Sequence, residues 1–157
     1  MNKPINDRKI RFALVGCGRI ATNHIGAIEA HSERCELSDV CDIEPARVAD
    51  AIEKTGARGH PSFERLLADT RADCVVLASP SGLHSAQAIR VAESGRHVMT
   101  EKPMATRWQD GLDMVRACDA ASAIVVVHCM HTVYAEQQYV LNFLCAYGVA
   151  LRGCDIH

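Results

Sequence analysis

The residues Arg11-Phe12-Ala13-Leu14-Val15 run without a break into Gly16-Cys17-Gly18-Arg19-Ile20-Ala21. A short apolar strand that stops at a glycine and resumes with apolar residues at helical spacing (Ile20, Ala21, Ile25, Ile28) commits this stretch to a strand–turn–helix unit. Such a strand is buried on both sides only inside a parallel sheet with helices covering its faces. That restricts the architectures open to the chain more than any other feature.

The same alternation recurs downstream. A second strand is expected at residues 36–41. A helix follows, with Pro45 at its first position, Lys54 in its last turn and Gly56 as its stop. A short strand near residues 57–59 and a brief helix after Ser62 come next. Residues 74–78, Cys-Val-Val-Leu-Ala, have the length and β-branching of a strand buried on both faces. A helix over about residues 84–94 ends at Gly95, and residues 97–100 form a fifth strand. Thr106-Arg107-Trp108-Gln109 has the spacing of a capping box opening a helix to about residue 121, and residues 124–127 form a sixth strand. Six strands with alternating helices give an α/β fold, a Rossmann-type doubly wound parallel sheet. Trp108, near a helix start, reads as a packing residue rather than a ligand contact.

Composition narrows the function classes. The 157 residues carry 17 Lys plus Arg against 19 Asp plus Glu, a net charge of −2, which gives no electrostatic reason to expect nucleic acid or an anionic membrane as partner. No apolar run reaches the length of a bilayer span, and the polar N-terminus lacks a signal core, so a cytoplasmic protein is expected. None of the eight cysteines has the two-residue spacing of a zinc knuckle or redox pair. Reduced, mostly buried thiols are expected. His128 and His131 have a gap that fits a metal on one helix face, but no third ligand accompanies them, so no metal is expected.

The glycine turn carries the chemistry. Gly16 permits the tight turn, Gly18 lets a pyrophosphate approach the backbone, and small Ala21 lets the helix lie close to the strand. Amides at Arg19 and Ile20 then face the anion at a helix N-terminus. Asp42 ends the second strand, where a carboxylate accepts hydrogen bonds from an adenosine ribose and disfavours a 2′-phosphate; the expected cofactor is NAD rather than NADP. The alternative is a glycine turn that binds nothing, with Asp42 merely starting a turn.

Three segments, Gly16 to Ala21, Ser79-Pro80-Ser81-Gly82-Leu83-His84 and Glu101-Lys102-Pro103, together resemble the glucose–fructose oxidoreductase/inositol dehydrogenase (Gfo/Idh/MocA) family. More narrowly, residues 8–121 are similar to the UDP-N-acetylglucosaminuronate 3-dehydrogenases of bacterial lipopolysaccharide synthesis. The resemblance implies that Ser79, Pro80, Leu83 and His84 line the ribose and nicotinamide side of the cofactor. It places Glu101 and Lys102 beside the nicotinamide, and it implies oxidation of a sugar hydroxyl with hydride passing to NAD. The hydroxyl proton needs an acceptor, and Lys102 is the candidate. The partner implied is a small nucleotide sugar, and full-length members are implied to be homo-oligomers.

Beyond residue 127 the resemblance ends. The family's second half carries the substrate pocket and a Gly-Gly-x-x-x-Asp-x-x-x-His segment, which this sequence lacks. Residues 122–157 hold only Glu136, Arg152 and Asp155 as charged residues, yet all three tyrosines. The expected division is therefore an NAD-binding domain over 8–127 and an atypical apolar tail over 128–157. That tail either packs on the sheet edge or is out-of-frame or foreign sequence; the abrupt change in composition favours the latter. Three functions stay open: a sugar-nucleotide dehydrogenase lineage whose present chain is truncated and inactive, a module that binds NAD without catalysis, and a redox sensor.

Overall fold

The computed structural model describes Ile5 and residues 7–128. Six strands form one wholly parallel sheet: β1 (Ile10–Val15), β2 (Cys35–Cys41), β3 (Arg58–His60), β4 (Cys74–Leu77), β5 (His97–Glu101) and β6 (Val125–His128). Their order is β3-β2-β1-β4-β5-β6, so the winding reverses between β1 and β4. In open sheets of this kind a ligand crevice opens at that reversal, beyond the carboxyl ends of the strands.

Both faces of the sheet are covered. Ile10, Phe12 and Leu14 of β1 join Cys74, Val76 and Met99 on one face, under Ala21, Ala27 and Ile28 of α1 (Ala21–Ala30) and Ala51 of α2 (Pro45–Thr55). Ala13 and Val15 point to the other face with Val75, Leu77 and Val98, under α3 (Phe63–Asp69), α4 (His84–Glu93) and α5 (Trp108–Ala120). Alternate residues of one strand thus feed two cores, which is why the strand sequences read as apolar throughout rather than alternating.

Several helix ends follow local chemistry. Pro45 occupies the first turn of α2, and Gly56 closes it with φ +70°, a conformation that disfavours any side chain. Ser62 caps α3 by accepting from the Arg65 amide at 3.2 Å. The expected capping box at Thr106 does not form. Arg107 takes the N-cap position of α5 without a side-chain cap, and its guanidinium pairs with Asp110 at 2.8 and 2.9 Å. An arginine fork on a carboxylate one turn on outcompetes a single threonine hydroxyl for this helix start. Trp108 also departs from expectation: it is 81% exposed, beside Met104 and Val115.

One polar network lies within the sheet. Asp39 of β2 is buried and accepts from Arg58 Nε (2.8 Å), His60 Nε2 (2.7 Å), Thr70 Oγ1 (2.7 Å) and Ser38 Oγ (2.7 Å). Burial alone would push this carboxyl up, but the hydrogen bonds from His60, Thr70, Ser38 and Arg58 outweigh it and bring it down to about 2. Its folded-state value lies below the unfolded one, so the stabilisation is complete above about pH 4 and is lost as pH falls toward 2. The shift corresponds to about 2 kcal/mol. Thermal unfolding of the chain between pH 5 and pH 2.5 should show this loss, and Asp39→Asn should flatten that slope while lowering stability at pH 5.

The thiols behave as expected where described. Cys35, Cys41, Cys74 and Cys118 are buried and Cys17 is half-buried, all of them free. Burial pushes Cys35 and Cys41 up to about 12 and, with the Asp42 carboxylate adding to it, Cys17 to about 11. Protonated thiols of this kind are poor nucleophiles. Cys129, Cys145, Cys154 and His131 lie outside the described residues, as does the tail assigned to 128–157 except for His128.

Candidate cofactor site

The turn after β1 is held from both sides. Gly16 has φ +96°, and its amide donates to the Cys41 carbonyl at 2.7 Å. A Cβ at this position would lie 2.6 Å from the Ala78 carbonyl oxygen and 2.9 Å from the Ser79 nitrogen, so backbone fills the space a side chain needs. Gly18 is different: a Cβ there would meet only Arg47 Nη1, at 3.8 Å. The protein tolerates a side chain at Gly18, and the room it leaves faces the crevice. No side chain caps the start of α1; the Ala21 and Asn23 amides of its first turn donate to the Gly18 and Ile20 carbonyls at 3.0 and 3.1 Å.

Asp42 is tied to the same turn. Its Oδ2 accepts from the Cys17 amide at 2.7 Å and its Oδ1 from the Glu44 amide at 2.9 Å. Each oxygen keeps a further lone pair for a ribose hydroxyl. Gly16, Gly18, Asp42, Ser79, Pro80 and Leu83 line one crevice of about 380 Å³, so six of the residues expected from sequence come together at the sheet's reversal. Arg19 is exposed and Ile20 half-buried at the start of α1, and neither is among the crevice walls.

Sequence reasoning passed over part of the lining. Ile43 (93% exposed), Phe63 and Gln87 also form walls. Ile43 has a usable signal, since it directly follows the acid. Gln87 lies one helical turn beyond His84 and touches Ser79 through its side-chain oxygen. Arg47 stands 4.0 Å from Asp42 Oδ2 and partly balances its charge.

Near the end of β5 two of the expected site residues have protein partners. His84 does not face the crevice. It is buried, with Nδ1 2.9 Å from the Pro103 carbonyl and Nε2 2.7 Å from the Ser79 carbonyl, so it pins the loop after β4 to the loop after β5. Glu101 also turns inward. Its Oε1 lies 2.9 Å from His24 Nε2 and 2.8 Å from His128 Nδ1. Burial raises this carboxyl, but the hydrogen bonds from His128 and His24 outweigh burial and hold it well below the usual carboxylate range. His128 ends a strand rather than lying on a helix, and a carboxylate does accompany it. Lys102 is exposed beyond Glu101, and its peptide bond to Pro103 is cis.

The oxidoreductase family GFO_IDH_MocA, described by its NAD-binding Rossmann fold, matches residues 10–129. The chain belongs to this family. It is similar to two solved members of that family. One is the WlbA dehydrogenase of Chromobacterium violaceum in complex with NADH and UDP-GlcNAcA, at 62% identity and TM-score 0.80, covering 81% of this chain and 37% of that one. The other is the Bordetella pertussis WlbA dehydrogenase with the same two ligands, at 58% identity and TM-score 0.76, covering 78% and 36%. Among curated relatives, a 4-carboxy-2-hydroxymuconate-6-semialdehyde dehydrogenase of Sphingobium is 24% identical over 94% of this chain and 47% of its own length. The chain thus spans less than half the length of these relatives. The matched family domain is an NAD-binding Rossmann fold, and the anchored acid and the open space at Gly18 fit a dinucleotide. No helix among the described residues is long and apolar enough to cross a membrane.

Asp42 is the residue expected to set the cofactor preference. A carboxylate at the ribose position opposes a 2′-phosphate by ~1–3 kcal/mol at an interface dielectric, and Arg47 offsets only part of that. NADP should bind at least about tenfold more weakly than NAD by calorimetric titration, and Asp42→Ala should narrow that ratio.

Proposed function

We propose that this chain is the cofactor half of a sugar-nucleotide dehydrogenase that oxidises C3 of UDP-N-acetylglucosaminuronic acid. The observation that carries the reading is the identity of about three residues in five with two dehydrogenases holding NADH and that sugar nucleotide. When bound, NAD supplies a hydride acceptor. The residues of the chain hold and orient it. Gly16, Gly18, Arg19, Ile20 and Asp42 grip the diphosphate and the adenosine ribose, and Ser79, Pro80 and Leu83 flank the nicotinamide side. His84 fixes the loop that carries Pro80 against the loop that carries Lys102. Lys102 takes the proton released by the sugar hydroxyl, and its exposed position beyond β5 gives it access to a substrate above the sheet. Glu101 serves by holding the end of β5 rather than by touching the cofactor.

Residues 8–128 form the NAD-binding unit in this reading, one residue past the expected boundary because His128 closes β6. Hydride transfer requires the sugar to be held close against the nicotinamide. The described residues supply the cofactor side of that contact and leave the crevice open to solvent. The 157-residue polypeptide on its own should therefore bind NAD and show no turnover. The test is an NADH absorbance assay with UDP-N-acetylglucosaminuronate, with a two-domain relative as positive control. Turnover above background by the purified chain contradicts the claim of inactivity. In a two-domain protein carrying these residues, Lys102→Ala should lower kcat by about a hundredfold or more with little change in NAD affinity. An unchanged kcat removes Lys102 from the chemistry.

A further inference from the structure

Below the crevice, three elements bring His24 of α1, Glu101 of β5 and His128 of β6 to one buried point. Their candidate ligand atoms all lie within 4.8 Å of one another. Both imidazoles aim a ring nitrogen at the same carboxylate oxygen, at 2.9 and 2.8 Å, and the two rings meet edge-on at 65° rather than stacked. Two imidazole nitrogens and one carboxylate oxygen form a donor set that suits zinc, with a fourth position left for water or another ligand. Zinc bonds of about 2.0–2.1 Å in tetrahedral arrangement put neighbouring ligand atoms roughly 3.3 Å apart. Each nitrogen would therefore move about half an ångström from the oxygen, and the two nitrogens, within 4.8 Å of each other, would draw together by up to about 1.5 Å. The side chains are 0%, 9% and 3% exposed, so the small opening at Glu101 is the route of entry.

We propose that His24, Glu101 and His128 form a site for a borderline divalent cation, zinc being the best match. The cation displaces the protons that the imidazoles share with the carboxylate and ties α1, β5 and β6 together at the carboxyl end of the sheet. The site is separate from the nucleotide crevice: none of the three residues is among the walls of that crevice. Its success or failure is therefore distinct from that of the NAD reading, which a nucleotide titration reports independently.

The test uses the full chain, reduced and metal-stripped, dialysed against zinc or cobalt(II). One equivalent of zinc should bind at free concentrations on the order of 10 µM and raise the thermal midpoint. His24→Gln and His128→Gln should each weaken binding by about tenfold or more. The cobalt adduct should show visible ligand-field bands without the intense near-ultraviolet thiolate band. Absence of an equivalent in the folded wild type overturns the proposal, as does undiminished binding in folded variants. Should the variants fail to fold, the wild-type cobalt spectrum decides: nitrogen and oxygen ligation supports the site, and thiolate ligation overturns it.

Discussion

Gly18→Val should fold like the wild type and lose NAD. A Cβ at Gly18 meets nothing closer than Arg47 Nη1 at 3.8 Å, and the backbone there does not need the left-handed conformation. The thermal midpoint should therefore stay within a few degrees. The added isopropyl group nevertheless occupies the space beside Asp42 through which a diphosphate approaches the backbone amides. Displacing the anion from those amides forfeits charge-assisted hydrogen bonds worth about 3 kcal/mol, a loss of roughly a hundredfold in affinity. Calorimetric titration of both proteins with NAD reads the difference directly. Equal affinities would mean that the diphosphate does not pass over Gly18.

Gly16→Ala should fail in the opposite way, by destabilising the domain. The φ of +96° disfavours any side chain, and the new Cβ would lie 2.6 Å from the Ala78 carbonyl oxygen and 2.7 Å from its carbon. No side chain can swing aside, because the obstacle is the backbone leaving β4. The end of β4 must move, and with it the hydrogen bond from the Ala78 amide to the Val15 carbonyl at 2.8 Å. Strain plus a lost contact of this kind costs about 3–5 kcal/mol. That is a large part of the stability of a domain this size and corresponds to a fall of about 10 °C or more in thermal midpoint. Differential scanning calorimetry checks it. The contrast between the two glycines is informative, since the same motif contains one residue the fold requires and one the ligand requires.

Much of this was legible in the sequence because it depends on short-range spacing. Strand lengths, the Pro45 and Gly56 ends of α2, and the glycine turn followed by Asp42 are each set within a few residues of one another. The partners of buried polar groups were not legible, because they are chosen by tertiary proximity. Asp39 sits in a run that reads as an ordinary strand, and only the fold reveals that Arg58, His60 and Thr70 surround it. His24 carried no signal and His128 was read only beside His131, without a third ligand, yet strand register brings His128 beside Glu101 and α1 lays His24 against both. His84 shows the converse. Its position suggested a ligand contact, and the fold adds two loop carbonyls as partners of its ring. Trp108 is a third case. An aromatic at a helix start was expected to pack, but the ring is left exposed, since the core side of α5 is taken by Gly111, Met114 and Cys118.

The claim on which the rest depends is that one crevice, walled by the glycine turn, Asp42 and the loop after β4, holds the dinucleotide. Titrating NAD into the isotopically labelled 157-residue chain while following backbone amide resonances tests it most directly. Saturable shifts should concentrate at residues 16–21, 42–44 and 79–83, with the Cys17 and Glu44 amides that grip Asp42 among the largest. No saturable shifts, or shifts centred on the amino ends of the strands at Ile10, Cys35, Cys74 and His97, would contradict the account.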